Sequence, residues 1–331
     1  MILLSSVALL LAAAAPASAP TYRVAGSIAG PDGSGWDYAA VDPDRHHLYV
    51  THGDTVTDVD LAQANAVRSI GAIQHGHSVI PVPGTGTLLV TSGRDNTVRL
   101  LDEASGAETA RLAAGDDPDA ATYDPATRHV LVMNAHGGSV SEVDVAGRRI
   151  IRTIPVKPAL EEGVIGRGRR LFINDEDANE IEVVDLSTGK LEAPIPLTGC
   201  ERPTGLAYDA SHDRLISACA NGKAAVVDAG RRQVSGLVDI APGPDAALLD
   251  ERRGVVLIPC GKAGVLEVLS LGGTVTKIAT VQTEPGARTG ALDPSTGAVY
   301  LPTARLGAPA TPGGRPVGLP GTFHFVVVRP S

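Results

Sequence analysis

Residues 38–51, YAAVDPDRHHLYVT, contain the pattern that decides the fold. An apolar run, an Asp-Pro turn and a β-branched run follow one another, which predicts two antiparallel strands, a and b, joined by a tight turn. The pattern recurs seven times at intervals of 40 to 44 residues, the period of four short strands and their turns. Its turn anchors are Asp42, Val82, Asp124, Ile165, Asp209, Asp250 and Asp293.

A third strand, c, and a fourth, d, follow each pair, except that the seventh copy has no strand d. A strand-like segment at residues 22–28, YRVAGSI, precedes the first copy and has no a, b or c strand of its own. If this segment supplies the outer strand of the seventh unit, a ring closes and no strand edge stays unpaired. The sequence therefore predicts an all-β, seven-bladed β-propeller with four-stranded antiparallel blades, whose N-terminal strand completes the last blade.

The composition is consistent with this fold and limits the partners. The chain is 43% hydrophobic but only 3% aromatic, so its core must consist mainly of Val, Leu, Ile and Ala. Strands a and b are nearly continuous apolar runs, as at residues 255–258, which indicates that both faces of each sheet are covered. A net charge of -9 disfavours nucleic acid as a partner, because binding to phosphates needs a basic surface.

The N-terminal residues have the features of a signal peptide. Residues 2–15 are uncharged and rich in Leu and Ala, and small residues at Ala15 and Ala17 suit cleavage by a signal peptidase. The run is too short for a comfortable membrane span. We therefore expect a signal peptide at residues 1–19 and a single propeller domain at residues 20–331. The mature protein should be a periplasmic or secreted monomer without a membrane span; an uncleaved anchor is the alternative.

Three cysteines suit an oxidising compartment with at most one disulfide. Cys219 and Cys260 hold equivalent positions on neighbouring blades, where the expected Cα separation exceeds the limit of about 7 Å for a disulfide. Cys200, in the connection before the fifth unit, could reach Cys219 instead. The sequence leaves Cys200–Cys219 as the candidate pair, with no disulfide as the alternative.

The end of the first b strand, Leu48-Tyr49-Val50-Thr51-His52, resembles the signature of the YVTN-repeat, YncE-like propellers, with His52 where Asn is usual. Residues 89–92 and 300–303 are weaker versions. The resemblance covers nearly all of residues 20–331 and implies a propeller that is exported or displayed at the cell surface, without a common activity. The chain is also distantly similar to the seven-bladed lactonase propellers, although no lactonase catalytic residue can be matched.

In a propeller, the d-to-a and b-to-c connections share one face and surround the mouth of the central channel, where ligands usually bind. Two series of residues at the strand ends should form polar rims on this face. The strand-a series is Asp37, His77, Asp119, Leu160, Thr204, Asp245 and Arg288, and the strand-b series is His52, Ser92, Asn134, Asp175, Cys219, Cys260 and Thr303. The predicted ligand-binding residues are Trp36, Asp37, His77, Asp119, Arg202, Asp245 and Arg288.

Histidines concentrate on the first units of this face. His75 and His77, together with His52 and Asp119, predict a site for a divalent metal, because imidazole and carboxylate groups suit Zn, Mn or Cu. The alternative is that these loops are polar only because they are solvated. A further alternative keeps the rim without the metal: Arg202 and Arg288 would hold the carboxylate of a small ligand.

One connection departs from the repeat. Residues 304–321 join strands b and c of the seventh unit and contain four prolines, whereas the other b-to-c connections are only a few residues long. A connection of this length is often a lid or a binding segment, so we expect it to hang over the mouth; an insertion without a role is the alternative. Trp36, the only Trp, would either stack on a ligand or cover a loop.

These features favour a binding or interaction protein that uses the channel-mouth face to take a small molecule or a protein. The alternative is a periplasmic enzyme, a lactone hydrolase or metal-dependent lyase, with the His and acid cluster as ligands or bases. A structural scaffold is the third possibility. The sequence contains no GxSxG, no Gly-rich phosphate loop and no HExxH motif.

Overall fold

The computed structural model describes residues 20–33, 35–309 and 316–331. The predicted signal peptide at residues 1–19 therefore lies outside the described residues. Within these residues the regular elements are β strands, apart from one 3-10 turn at Arg167–Arg169. None of the described segments forms a helix long and apolar enough to cross a membrane.

Strand β1 (Tyr22–Ala29) comes first, and the following strands form seven antiparallel sheets, or blades. From the innermost strand outward, blade one is β2 (Trp36–Asp42), β3 (His47–His52), β4 (Thr55–Asp60) and β5 (Ala66–Ile70); blade two is β6 (Gly76–Val82), β7 (Thr87–Ser92), β8 (Thr97–Asp102) and β9 (Glu108–Ala113); and blade three is β10 (Pro118–Asp124), β11 (His129–Asn134), β12 (Ser139–Asp144) and β13 (Arg149–Pro155). Blade four is β14 (Leu160–Gly166), β15 (Arg170–Asp175), β16 (Glu180–Asp185), β17 (Lys190–Leu191) and β18 (Ile195–Pro196), and blade five is β19 (Pro203–Asp209), β20 (Arg214–Cys219), β21 (Lys223–Asp228) and β22 (Gln233–Asp239). Blade six is β23 (Leu248–Asp250), β24 (Val255–Cys260), β25 (Val265–Ser270) and β26 (Thr276–Gln282), and blade seven is β27 (Ala291–Leu292), β28 (Val299–Thr303) and β29 (His324–Pro330), completed by β1.

The N-terminal strand closes the ring, as the sequence predicts. Strand β1 runs antiparallel to β29, from the pair Tyr22 and Pro330 to the pair Ala29 and His324. Innermost strands of successive blades contact one another, and β27 of the last blade contacts β2 of the first. The prediction of a seven-bladed propeller is confirmed.

The hydrophobic core is divided among the blade interfaces. Seven clusters of buried apolar side chains each span two neighbouring blades, as where Tyr49 of blade one meets Leu88 of blade two. Both faces of every blade are therefore covered, which explains why the inner strands are almost continuously apolar.

Blade four differs from the predicted pattern at its outer strand. Its fourth strand, d, is broken into β17 and β18, which both pair with β16. Pro194 lies in the gap, and a proline cannot donate a hydrogen bond to the ladder.

The candidate disulfide is confirmed. Cys200 and Cys219 are bonded, with their Cα atoms 5.5 Å apart, and Cys260 is a buried free thiol. Burial raises the pKa of the Cys260 thiol to about 12, so it stays protonated and unreactive at neutral pH.

Candidate functional site at the channel mouth

A repeated irregularity lies at the mouth position of the first five blades. In blades one to five the innermost strand has a β-bulge just after its first residue, as between Trp36 and Ala39 or between Gly76 and Val79. Bulges redirect side chains in this way at sheet ends. The seven mouth positions, counted around the ring, are Asp37, His77, Asp119, Glu161, Thr204, Asp245 and Arg288.

Hydroxyl groups of the neighbouring blade fix the bulges. Thr51 Oγ1 of blade one donates to the His77 carbonyl at 2.8 Å, and Thr91 Oγ1 of blade two donates to the Asp119 carbonyl at 2.9 Å. Thr51 is the threonine of the Tyr-Val-Thr-His stretch. Its conformation therefore sets the position of the next blade's mouth residue.

The mouth series contains one correction to the sequence prediction. Leu160 is fully buried in the interface of blades three and four, and Glu161 takes the mouth position instead. The a-to-b turn of blade four is one residue shorter than in the other blades, because Gly166 pairs with Arg170 whereas Asp124 pairs with His129. Counting back from the turn is therefore wrong by one residue in this blade.

His77 lies at the centre of an acidic group. Its Nδ1 is 2.9 Å from Asp37 Oδ2 and 3.5 Å from Asp119 Oδ1, and its Nε2 is 3.7 Å from Asp117 Oδ1. Asp37, His77 and Asp119 each offer one ligand atom, and these three atoms lie within 4.8 Å of one another. This set of donors fits a divalent metal that accepts nitrogen and oxygen ligands.

Two atoms of this group are buried without a hydrogen bond to any described residue: His77 Nε2 and Asp119 Oδ1. Beside His77 Nε2 lies Gly93, where an added Cβ would come within 2.8 Å of that nitrogen and 2.6 Å of Asp117 Oδ1. Buried polar atoms normally have partners, so two such atoms without one in this group indicate a site for an ion or a polar ligand atom.

Arg288 faces this group from the last blade. Its Nε is 2.5 Å from Asp245 Oδ2, and its Nη2 donates to the Trp36 carbonyl at 3.2 Å and lies 3.7 Å from Asp37 Oδ1. The guanidinium thus links blades six, seven and one. It is already paired with carboxylates of the protein.

Tyr38 reaches across the channel. It belongs to blade one, yet its ring packs against the apolar cluster between blades three and four, and its hydroxyl donates to Glu161 Oε2 at 3.4 Å. Glu162, the residue after Glu161, accepts a hydrogen bond from the Leu206 amide at 2.8 Å and lines a cavity of about 530 Å³. The sequence does not single out Tyr38, because nothing in its neighbourhood distinguishes it from a core aromatic residue.

The protonation states follow from burial and from crowded acids. Burial lowers the pKa of His77, but the hydrogen bond to Asp37 and the nearby carboxylates outweigh it and raise that pKa to about 9. Burial, reinforced by Asp37 and Asp117, raises the pKa of Asp119 to about 7 although His77 opposes the shift. Burial also raises the pKa of Glu162 to about 8 and that of Glu161 well above its usual range. At neutral pH the His77 ring is therefore cationic, and these carboxyl groups keep their protons to a higher pH than free carboxyl groups do.

Two predicted metal ligands lie outside the group. His52 is buried with its ring stacked on Phe323 at a centroid distance of 4.0 Å, and Thr57 Oγ1 lies 3.3 Å from its Nδ1. The exposed His75 places its ring edge on the His77 ring, 4.6 Å between centroids. The structure brings Asp37, rather than either of these histidines, together with His77 and Asp119.

Two predicted ligand-binding residues also lie elsewhere. Trp36 is buried against Phe323, with ring centroids 5.7 Å apart, and Gly318 of the long connection lies against its ring. Arg202 is 62% exposed and pairs with Glu176 Oε1 at 2.6 Å. The strand-b series does not form a polar rim, because its members are buried inside the blades: His52, Ser92, Asn134, Asp175, Cys219, Cys260 and Thr303.

The described parts of the long connection, residues 304–309 and 316–321, run antiparallel and are joined by hydrogen bonds. Gly307 donates to the Val317 carbonyl and Leu319 donates to the Arg305 carbonyl, both at 2.8 Å. Leu306, Val317 and Leu319 are exposed in these two segments. The predicted role of this connection as a lid stays a prediction.

A pH-dependent stability effect is expected from Glu162. Because folding raises its pKa from 4.5 to about 8, its contribution to stability is present below pH 4.5 and is lost as the pH rises through 8. Glu162→Gln, a neutral isostere, should match the wild type near pH 4.5 and unfold a few degrees higher near pH 9. Thermal scans over this range test it, with Glu251→Gln as the control, since Glu251 lines the same cavity but is exposed. Equal midpoints for Glu162→Gln and wild type at both pH values would contradict it.

Fold and mouth together define the class of protein: a seven-bladed β-propeller with an acidic channel mouth centred on one histidine. No protein-family profile matches the chain, and no curated protein matches it in sequence.

Solved structures share the architecture. The hydrazine synthase of Kuenenia stuttgartiensis is 14% identical, with 83% of this chain and 92% of that chain covered and a TM-score of 0.68. A streptogramin B lyase is 14% identical, covering 94% and 98%, with a TM-score of 0.72. A chain of a mitotic checkpoint complex is 12% identical, covering 99% and 98%, with a TM-score of 0.74. At such identities the likeness shows the fold alone.

Proposed function

We propose that this propeller is a ligand-binding protein that works through its channel mouth, where Asp37, His77 and Asp119 hold a divalent cation. One observation carries the proposal: three metal-ligating side chains converge within 4.8 Å, and two of their buried atoms lack a hydrogen bond to any described residue. An ion among these three side chains would be a partner for the buried Asp119 Oδ1 and would offset the negative charge of the carboxylates. When bound, it would supply a Lewis-acidic point at which a small polar ligand could be held.

The charge balance supports a cation over an anionic ligand. His77 and Arg288 are the basic residues among the seven mouth positions, His136 lies 3.3 Å from Asp117, and Arg167 lines the cavity below. The carboxyl groups there are Asp37, Asp117, Asp119, Glu161, Glu162 and Asp245. Because Arg288 and Arg202 are both engaged with carboxylates of the chain, a clamp of two arginines for a ligand carboxylate is less favoured.

Metal binding should raise the unfolding temperature of chelator-treated protein. A ligand at 100 times its dissociation constant adds about 2.7 kcal/mol, which corresponds to a shift of several degrees in a chain of this size. We expect such a shift with one or two of Zn²⁺, Mn²⁺, Co²⁺ and Cu²⁺. His77→Ala, Asp37→Asn and Asp119→Asn should abolish it.

His75→Ala is the matched control, because His75 directly precedes strand β6, which carries His77, but is not one of the three metal-ligating residues. Its metal response should equal that of the wild type. Gly93→Ala adds a second test: the new methyl group would crowd His77 Nε2, so binding should weaken without loss of any ligand. The absence of a shift with every ion, or a shift retained in His77→Ala, would refute the metal site.

A second candidate function is catalysis at the same mouth, by lactone hydrolysis or metal-dependent elimination. The observation that favours it is the buried Nε2 of His77, which has no hydrogen-bond partner among the described residues and whose ring carries a proton below pH 9. Such a group can act as a general acid. A structural neighbour is a streptogramin B lyase, which makes streptogramin B a first compound to test beside a panel of lactones. Turnover that is lost in His77→Ala but kept in His75→Ala would support the enzyme; no turnover would favour the binding protein.

We also propose that the protein is exported to the periplasm or secreted as a YVTN-type propeller. The Cys200–Cys219 disulfide supports this, because such bonds persist mainly in oxidising compartments. Fusing residues 1–30 to a reporter that is active only outside the cytoplasm tests it. A silent reporter would count against export.

A further inference from the structure

A second group of acids lies in blade four, apart from the mouth positions. Asp175 ends β15 and pairs in register with Glu180, which begins β16, and Glu182 follows two residues later on the same face of that strand. Ligand oxygens of the three side chains lie within 4.8 Å of one another. Glu182 is on the side of β16 that carries Val184, which packs in the interface with blade three.

These carboxyl groups are deeply buried. The side chain of Glu182 is 0% exposed, Asp175 is 2% exposed and Glu180 is 16% exposed. Only one ammonium group faces them among the described residues: Lys157, from the connection between blades three and four, contacts Glu180 Oε1 and lies 2.8 Å from Glu182 Oε1. The contact between Lys157 and Glu182 Oε1 is not aligned as a hydrogen bond, and Glu182 Oε2 has no hydrogen-bond partner among the described residues.

The same strand position in other blades shows how the fold normally accommodates a charge there. Arg99 in blade two is bonded to Thr97 and Glu108, each at 2.9 Å. Glu267 in blade six accepts from the Ala241 amide at 3.0 Å and from Thr280 Oγ1 at 2.6 Å, with Lys277 at 3.3 Å. Glu182 has no comparable set of donors, and burial raises the pKa of its carboxyl group; in the ionised form it needs a further cation as a partner.

We propose that Asp175, Glu180 and Glu182 form a binding site for a hard divalent cation of the calcium class, held between the second and third strands of blade four. The donors are all carboxylate oxygens, the ligands that Ca²⁺ prefers. When the three carboxyl groups are ionised, one ammonium group leaves two negative charges that a divalent cation would balance. The Lys157 side chain, 43% exposed, can swing outward when the ion binds. The site uses no residue of the channel mouth and does not depend on the function proposed for it.

Calcium binding to the full chain tests the site. In equilibrium dialysis we expect the wild type and His77→Ala to bind one Ca²⁺ each, with a dissociation constant of roughly 0.1–1 mM, the range of extracellular calcium modules. Glu182→Gln and Asp175→Asn should lose this ion. Lys157→Gln should bind it about tenfold more tightly, because the competing ammonium group is gone.

Glu267→Gln is the matched control, since it neutralises the equivalent position of blade six and should leave calcium binding unchanged. Retention of the ion in His77→Ala but not in Glu182→Gln separates this site from the mouth. The proposal is overturned if neither the wild type nor Lys157→Gln binds Ca²⁺, or if Glu182→Gln binds it as the wild type does. It is also overturned if added Ca²⁺ raises the unfolding temperature of Glu182→Gln as much as that of the wild type.

Discussion

A chain that begins at residue 31, and so lacks β1, is expected to lose its cooperative unfolding transition. Strand β1 supplies the whole outer edge of blade seven, and its removal would leave β29 with unpaired backbone groups. It also carries Tyr22 and Ile28, which are buried in the clusters that join blade seven to blades six and one. Losing two such side chains costs about 3 kcal/mol each. With the ladder bonds added, this approaches the whole stability of a typical domain, roughly 5–15 kcal/mol.

Circular dichroism during heating and in guanidinium measures this effect. A chain that begins at residue 20 is the control and should unfold cooperatively. A synthetic peptide of residues 20–31 added to the truncated chain should restore the transition. The strand closes the ring by pairing with β29, and this pairing does not require a covalent link to the rest of the chain. Tyr22→Phe should produce a smaller loss, since it removes only the hydrogen bond to Asp250 Oδ2 at 3.2 Å. A truncated chain that unfolds at the midpoint of the control would show that β1 does not close the ring.

The architecture could be predicted because it depends on a period. Each blade repeats the same order of apolar run and turn, and the unpaired segment at residues 22–28 had only one free place in the ring. Two local departures from the repeat could not be predicted from the period. Pro194 splits one outer strand, and the turn after Gly166 is one residue short, which moves Glu161 rather than Leu160 to the mouth.

The candidate site could be predicted only in part. Asp37, His77 and Asp119 come together because three consecutive blades place them at the same strand position. His52 and Trp36 are instead buried by Phe323, and Gly318 also lies against Trp36; both of these residues are more than 250 positions away in the chain. Tyr38 contacts a blade on the opposite side of the ring, and the space beside His77 depends on Gly93 having no side chain. Contacts of this kind are set by packing between distant segments, which a repeat pattern does not encode.

The double variant Cys200→Ala, Cys219→Ala is expected to be less stable than the wild type by about 3 kcal/mol. The bond closes a loop of 19 residues, and a cross-link of that length removes about this much free energy from the unfolded chain. Both residues are buried in the cluster between blades four and five, so the bond also fastens the start of blade five to its second strand. The unfolding midpoint in guanidinium should fall, with little change in the slope of the transition.

Reductant provides the independent check of this disulfide. It should lower the midpoint of the wild type to that of the double variant and leave the double variant unchanged. Cys260→Ala is the matched control: it removes a buried thiol that has no disulfide partner, so it should keep the full response to reductant. Suppose that reductant opens the bond but leaves the midpoint of the wild type unchanged. Packing between blades four and five would then be sufficient to hold the start of blade five in place. In that case the disulfide would be a consequence of the compartment and not a support of the fold.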